Sequence, residues 1–210
     1  MQPLAEPLPA DPLALLEEWL DFAVETLREQ NPTAMSLATL GLDGAPSSRM
    51  VICRGYDASD GWLVFYTDRE SPKGRELDAH GRAALVFYWE PLQRQVRVRG
   101  PVVRSPEPES DAYFSSRPRG ARISARASRQ SRPVASRTEL EAENLREDAR
   151  HAEEVPRPER WGGYRVWIES LEFWIGMPDR LHDRALYTRE LEPQDSGFRA
   201  GDWSATRLQP

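Results

Sequence analysis

The sequence predicts an α+β chain that is mainly β: an antiparallel, barrel-like sheet with helices inserted between its strands. Three observations carry this. Short apolar stretches recur at strand length between turn residues. One stretch, Gln93–Val103, alternates visibly, with Val96 and Val98 on one side and Arg97 and Arg99 on the other. No strand-helix-strand alternation with a glycine-rich phosphate loop is present, which disfavours Rossmann and P-loop architectures.

In chain order, residues 1–11 contain Pro3, Pro7 and Pro9 without periodicity and read as a flexible arm, leaving residues 12–210 as a single domain. A helix should start at Asp11-Pro12, where Asp is a good N-cap and Pro suits the first helical position. Leu13, Leu16, Leu20, Ala23, Val24 and Leu27 follow at helical spacing, and Asn31-Pro32 stops the run. Strands are expected at Thr33–Leu40 and Ser47–Arg54, joined by a hairpin at Asp43-Gly44. Gly61–Thr67 is a third strand, Ser71–His80 a short helix and Ala83–Trp89 a buried strand. Helices are expected at Pro106–Ser116 and Thr138–Glu153, the latter mostly a solvated charged face, with Arg117–Arg132 irregular between them. Gly163–Ser170, Leu171–Gly176, Ala185–Glu190 and Trp203–Leu208 read as strands. The core sheet should hold about seven strands.

The 210 residues carry 28 basic and 34 acidic side chains, a net charge of −6. The longest apolar run, Ala83–Trp89, is far short of the ~20 residues that span a bilayer. The first basic residue is Arg28, so no secretory n-region is visible and a cytoplasmic location is expected. The single cysteine, Cys53, excludes an intramolecular disulfide, and three separated histidines lack metal-ligand spacing, so no metal is expected. Of the basic residues only Lys73 is a lysine.

Four stretches could carry chemistry. Ser116–Arg132 holds arginines 117, 119, 122, 126, 129 and 132 and no acid, a local cationic field that asks for an anion. Nucleic acid fits poorly, given the net charge and the lack of interleaved aromatics. A small phosphorylated ligand fits better, because Arg offers bidentate contacts to phosphate; an Arg-rich solvated loop is the plain alternative. Arg49 and Arg54 bracket an apolar strand. Ser71-Pro72-Lys73-Gly74-Arg75 opens a helix, where free N–H groups favour an anion. Arg180, His182 and Arg184, after Phe173-Trp174, would line one side of an extended chain and grip a planar anion. His80 and His151 read as surface residues, and Cys53 as a core residue.

These stretches coincide with a resemblance. LPADPL (8–13), PTAMSLAT (32–39), SRMVICRGYD (48–57), VFYT (64–67), RQV (94–96), YFSSRPR (113–119), SRQS (128–131), WGGYRV (161–166), EFW (172–174) and RLHDR (180–184) occur in an order that resembles the pyridoxamine 5′-phosphate oxidase family over nearly the whole chain. The resemblance implies an FMN-binding split β-barrel that dimerises, with FMN at the subunit interface. It implies FMN contacts at Arg49, Met50, Val51, Ile52, Cys53 and Arg54, and at Tyr66, Thr67, Lys73, Gln95, Gln130, Ser131, Trp174 and Arg184. The phosphate of a small pyridine substrate would meet Arg54, Tyr113 and Arg117, with Arg180 and His182 as the catalytic pair against the ring. The implied reaction is hydride transfer from pyridoxine or pyridoxamine 5′-phosphate to the flavin, giving pyridoxal 5′-phosphate, with dioxygen as the final acceptor and hydrogen peroxide as product.

The sequence departs from the family pattern in four places. Arg54 stands where the family usually has Lys, Pro72 where it has Arg, and Ala121 where it has a Ser that meets the substrate phosphate. The basic, Tyr-containing N-terminal segment of close relatives is replaced by Met1–Pro7. Two alternatives follow: a related flavin oxidase of another planar, dihydrophenazine-like substrate, and a non-catalytic flavin or pyridoxal-phosphate binder.

Overall fold

Asp11 caps the first helix as its sequence suggests, its Oδ1 accepting from Leu13 N at 2.9 Å. The helix, α1 (Pro12–Thr26), buries Leu13, Leu16, Trp19, Leu20 and Ala23. The structure is a computed structural model that describes residues 2–210, the side chain of Glu29 excepted. The chain continues as β1 (Ala34–Leu40), β2 (Pro46–Ile52), β3 (Gly55–Asp57), β4 (Trp62–Asp68), α2 (Pro72–His80), β5 (Arg82–Trp89) and β6 (Arg94–Arg104). Three helices follow, α3 (Glu107–Ser116), α4 (Arg119–Ala127) and α5 (Arg137–Arg150). The last third is β7 (Trp161–Trp167), β8 (Ser170–Ile175), β9 (Asp183–Thr188), β10 (Leu191–Gln194), β11 (Gly197–Ala200) and β12 (Ser204–Leu208).

The large sheet runs β12-β9-β8-β6-β5-β1-β2, with β4 and β7 branching from it and β3 beside β4; its pairings are antiparallel. The branch point is β6. Its residues 94–99 pair with β8, and 102–104 turn away to pair with β7. Gly100 sits between the two, where a Cβ would collide with the Trp167 carbonyl. The curled sheet encloses Met35, Leu37, Leu63, Phe65, Leu85, Phe87, Val96, Val98, Leu171 and Phe173, and α1 closes one end, with Trp19 edge-on to Phe173 at 5.0 Å. This is the antiparallel split barrel that the resemblance implied. A second, smaller core of Phe114, Ile123, Val155 and Trp161 seats α3 and α4.

The register divides the sheet residues by face. Arg184, Trp174, Gln95 and Tyr88 are successive cross-strand neighbours on the outer face, and two residues along β5 Val86, Ser36 and Met50 continue the row. Met50 and Tyr88 are 65% and 53% exposed there.

Four expectations are corrected. The described residues form twelve strands rather than about seven. Beyond the nine stretches read as strands in the sequence, the new ones are the three-residue β3 and the β10–β11 hairpin, too short or too polar to show a period. Arg117–Arg132 is not irregular throughout, because Arg119–Ala127 is helical. Its apolar face is narrow, with Ile123 the one fully buried residue. Arg180 and His182 do not lie on an extended chain: Pro178–Arg180 is a 3-10 turn in which Asp179 and Arg180 take φ of +54° and +61°. Within the arm, Leu4 is buried and its N–H donates to Asp183 Oδ2 at 2.7 Å. Met1 lies outside the described residues.

Candidate cofactor and anion site

The first cluster forms where α2 meets β4. Ser71 caps α2, accepting from Gly74 N at 3.3 Å. The cap delivers Lys73 into the interior, where it is only 9% exposed. Lys73 Nζ donates to Gln130 Oε1 at 2.7 Å and to Ser71 Oγ at 3.3 Å, and it has no carboxylate partner among the described residues. Thr67 Oγ1 donates to the same Gln130 oxygen at 2.9 Å. Burial, and next the nearby Arg49, pushes the Lys73 ammonium below its usual range. A buried ammonium held by neutral oxygens retains unspent attraction for an anion. Arg49, on the inner face of β2, is already committed: its Nη2 donates to the buried Glu76 at 2.9 Å and it also contacts Thr39 and Ser47.

The rest of β2 divides by strand alternation. Met50 and Ile52 face outward, Val51 inward, and Cys53 is in the core with its thiol pushed up to about 11 by burial. Consecutive side chains cannot all meet one ligand. Since β2 is the edge of its sheet, its free backbone edge is the part of this stretch that a ligand can meet as a whole.

The second cluster is an aromatic and cationic cleft. Tyr66 stacks on Tyr113 at 4.1 Å and on Trp161 at 5.4 Å. Gly163 makes room, since a Cβ there would strike the Tyr66 ring and Ser105. Arg117 lies over Trp161 at 4.8 Å and Arg54 over Tyr113 at 6.0 Å. Neither arginine has a carboxylate partner among the described residues. Arg117 Nη1 is buried with no hydrogen-bond partner, and desolvation lowers the guanidinium from its usual range. Asp68, Arg117, Ala121, Ser124, Ser128, Gln130 and Trp161 line a cleft of about 370 Å³ beside this stack, the Asp68 carboxylate being engaged by Arg160. Gln130 joins the two clusters.

The third cluster is on the outer face at the far side of the sheet. Gln95 pairs with Trp174, which pairs with Arg184. Arg184 is held by Glu172, a buried carboxylate that accepts from Arg184 Nη2 at 2.8 Å and from Arg97 Nη1 at 2.8 Å. His182 stands 4.6 Å from the Trp174 ring, and its Nδ1 accepts from Met177 N at 3.2 Å. That bond fixes the neutral tautomer with its proton on Nε2. Arg180 is exposed in the turn. Ser131, with φ +67°, sits next to Gln130 but lines a different cleft, with Pro133, Val134 and Leu140.

The structure therefore joins Arg49, Thr67, Lys73 and Gln130, joins Arg54, Tyr66, Tyr113 and Arg117, and sets Gln95, Trp174, His182 and Arg184 apart from both. It also sorts the six arginines. Arg119, Arg126, Arg129 and Arg132 are paired with Asp148, Glu147, Glu70 and Glu70, whereas Arg117 and Arg122 have no carboxylate partner among the described residues, Arg122 Nε being buried without one. Sequence reasoning missed the buried acids Glu76 and Glu172 and the role of Trp161; an acid inside an otherwise apolar strand, as in LEFW, is the signal that was available for Glu172. No group of three or more His, Cys, Asp or Glu among the described residues is arranged to hold a metal, and no helix is long and apolar enough to cross a membrane.

Residues 21–150 match the protein-family model described as pyridoxamine 5′-phosphate oxidase, and residues 161–210 match the pyridoxine 5′-phosphate oxidase C-terminal dimerisation region. The second match covers Trp174, His182 and Arg184 of the third cluster and indicates a homodimer. The chain is 49% identical over 201 residues to the pyridoxine/pyridoxamine 5′-phosphate oxidase of Azorhizobium caulinodans, covering 95% of this chain and 90% of that one. It is 46% identical over 200 residues to the protein of the same name from Burkholderia lata, covering 95% and 89%. Among solved structures it resembles PhzG from Burkholderia lata in complex with tetrahydrophenazine-1-carboxylic acid, with a TM-score of 0.85, 34% identity and coverage of 96% and 94%. The fold is shared with a pyridoxamine 5′-phosphate oxidase-related, FMN binding protein from Nostoc punctiforme, at a TM-score of 0.71, 17% identity and coverage of 92% and 96%.

Proposed function

The chain belongs to the pyridoxamine 5′-phosphate oxidase family, and from that membership we propose that it oxidises pyridoxamine or pyridoxine 5′-phosphate to pyridoxal 5′-phosphate. Dioxygen would be the acceptor and hydrogen peroxide the second product. Residues 12–210 would act as one FMN-binding domain, in the cytoplasm. The observation that carries the reading is the buried, unpartnered Arg117 Nη1 close to Tyr113 and Arg54, three groups suited to a phosphate.

The donor set fits FMN. Lys73, Thr67, Gln130 and Arg49 offer a cation-rich corner without a free carboxylate, since Glu76 is already engaged by Arg49. These residues, with Tyr66, Arg54, Ser131 and the edge of β2 over 49–53, would hold one side of the cofactor. Gln95, Trp174 and Arg184 would hold the other from the partner subunit's third cluster. FMN bound there supplies a two-electron acceptor that dioxygen can reset.

The protein's own work is positioning. Arg117, Arg54 and Tyr113 bind the substrate phosphate and so fix where the pyridine ring lies. His182 presents an Nε2 proton toward the ring because Met177 N occupies Nδ1. Arg180 holds the ring's polar substituents, and the Tyr66–Tyr113–Trp161 stack excludes water from the phosphate end.

A second reading, oxidation of a dihydrophenazine-like carboxylate, is favoured by the likeness to the PhzG complex. Anaerobic addition of pyridoxamine 5′-phosphate to the FMN-loaded protein separates the two. Loss of the visible flavin band, its return in air and formation of pyridoxal 5′-phosphate are expected. A flavin that stays oxidised with this substrate but bleaches with a dihydrophenazine carboxylate would move the assignment to the second reading.

A further inference from the structure

The hydroxyl that the family resemblance expects at position 121 is absent, yet the cleft around Arg117 is not short of hydroxyls. Residues three apart on a helix share a face, and one turn after Ala121 the helix α4 presents Ser124. Both line the 370 Å³ cleft, together with Arg117, Ser128 and Gln130. Ser124 is further oriented from outside the cleft. Its Oγ accepts from Asn144 Nδ2 of α5 at 2.9 Å. A hydroxyl whose lone pair is engaged in this way has its own proton free to donate elsewhere. Asn144 is therefore more than a solvated helix residue, because it bridges α5 to the wall of the anion cleft.

We infer that Ser124 donates the hydrogen bond to the ligand's phosphate that Ala121 cannot, with Asn144 as the positioning residue that turns the Ser124 proton into the cleft. The inference rests on the reading of this cleft as the phosphate end of the substrate site. It makes the chain's departure at position 121 a shift of the donor by one helical turn. Arg117 supplies the charge and Ser124 the directional contact, so the pair recognises a phosphate more sharply than either alone.

The test uses the FMN-loaded protein, with pyridoxal 5′-phosphate, pyridoxal and inorganic phosphate as probes in binding titrations. Ser124→Ala should raise the Kd for pyridoxal 5′-phosphate roughly tenfold, equivalent to about 1.4 kcal/mol, and weaken inorganic phosphate in the same sense. Binding of pyridoxal, which lacks the phosphate, should not change. Adding Ala121→Ser to Ser124→Ala should restore most of the loss. Asn144→Asp should mimic Ser124→Ala, because a carboxylate captures the hydroxyl proton; a merely structural tie between α4 and α5 would not discriminate phosphate from its absence. Equal loss for pyridoxal and pyridoxal 5′-phosphate, or no loss for either, overturns the inference. So does a wild-type protein that binds neither inorganic phosphate nor the phosphorylated ligand preferentially. Ser124-dependent phosphate binding in a protein whose flavin pyridoxamine 5′-phosphate does not reduce would keep the inference and overturn the proposed reaction. Turnover of that substrate unaffected by Ser124→Ala would do the reverse.

Discussion

Arg117 and Arg119 stand two residues apart in the sequence and in opposite surroundings in space. Arg119 Nη2 donates to Asp148 Oδ1 at 2.6 Å and to the His151 carbonyl at 2.8 Å, which ties the start of α4 to the end of α5. Arg117 lies over Trp161 with no carboxylate partner among the described residues and one nitrogen buried without a partner. Cation density along a chain is therefore not charge density in space. A paired guanidinium is part of the scaffold. An unpaired, half-desolvated one keeps its attraction for whatever anion enters.

The largest effect is expected at the buried extreme of the paired class. Arg160 Nε donates to the buried Asp68 at 3.1 Å. Asp68→Ala leaves that guanidinium on the Ala125, Arg126 and Ser128 carbonyls but without its counter-charge, and should cost about 3 kcal/mol of unfolding free energy; urea unfolding reads it directly. Next in size is Arg117→Ala. Loss of a charge-assisted contact should weaken phosphorylated-ligand binding by about 2 kcal/mol while FMN stays bound and folding is barely affected. Coincident loss of FMN, seen in the visible spectrum, would show that the partition of arginines drawn above is wrong. Arg119→Ala should do the opposite on a smaller scale, costing at most about 1 kcal/mol of stability for a largely exposed pair and leaving ligand affinity unchanged.

The smallest effect is a pH dependence. Lys73 has a folded-state pKa lowered by burial and then by Arg49. The unfolded chain therefore holds the Lys73 proton more tightly than the folded one. Stability of the FMN-free protein should rise with pH through the window from that lowered pKa up to the ordinary lysine value of 10.5. Lys73→Met should flatten that rise in denaturant titrations between neutral and alkaline pH.

Much of the sheet was legible because its strands are buried on one face and alternate, as Val96/Arg97/Val98/Arg99 do. The Asp43-Gly44 hairpin was legible because only certain residues make that turn. The helix α4 was not, because a helix that buries one residue among three arginines leaves almost no apolar stripe. The turn at Pro178-Asp179 carried a turn signal that a reading for extended chain overrode. In the site, residue type pointed to an anion, but which arginines were free depended on acids distant in sequence, Glu147 for Arg126 and Glu70 for Arg129. No spacing rule reports such pairings.

The separation of the third cluster from the first has an outcome for mixed assemblies. Arg49 on β2 and Trp174 on β8 are divided by three strands, roughly 19 Å across the sheet at the usual strand spacing. If each catalytic centre of the homodimer draws one cluster from each subunit, two inactive variants can repair each other. A chain damaged at Lys73 and a chain damaged at Arg184, exchanged into one dimer, would concentrate both lesions in one centre and leave the other whole. Activity would then reappear on mixing two dead proteins, up to half that of the unmutated dimer.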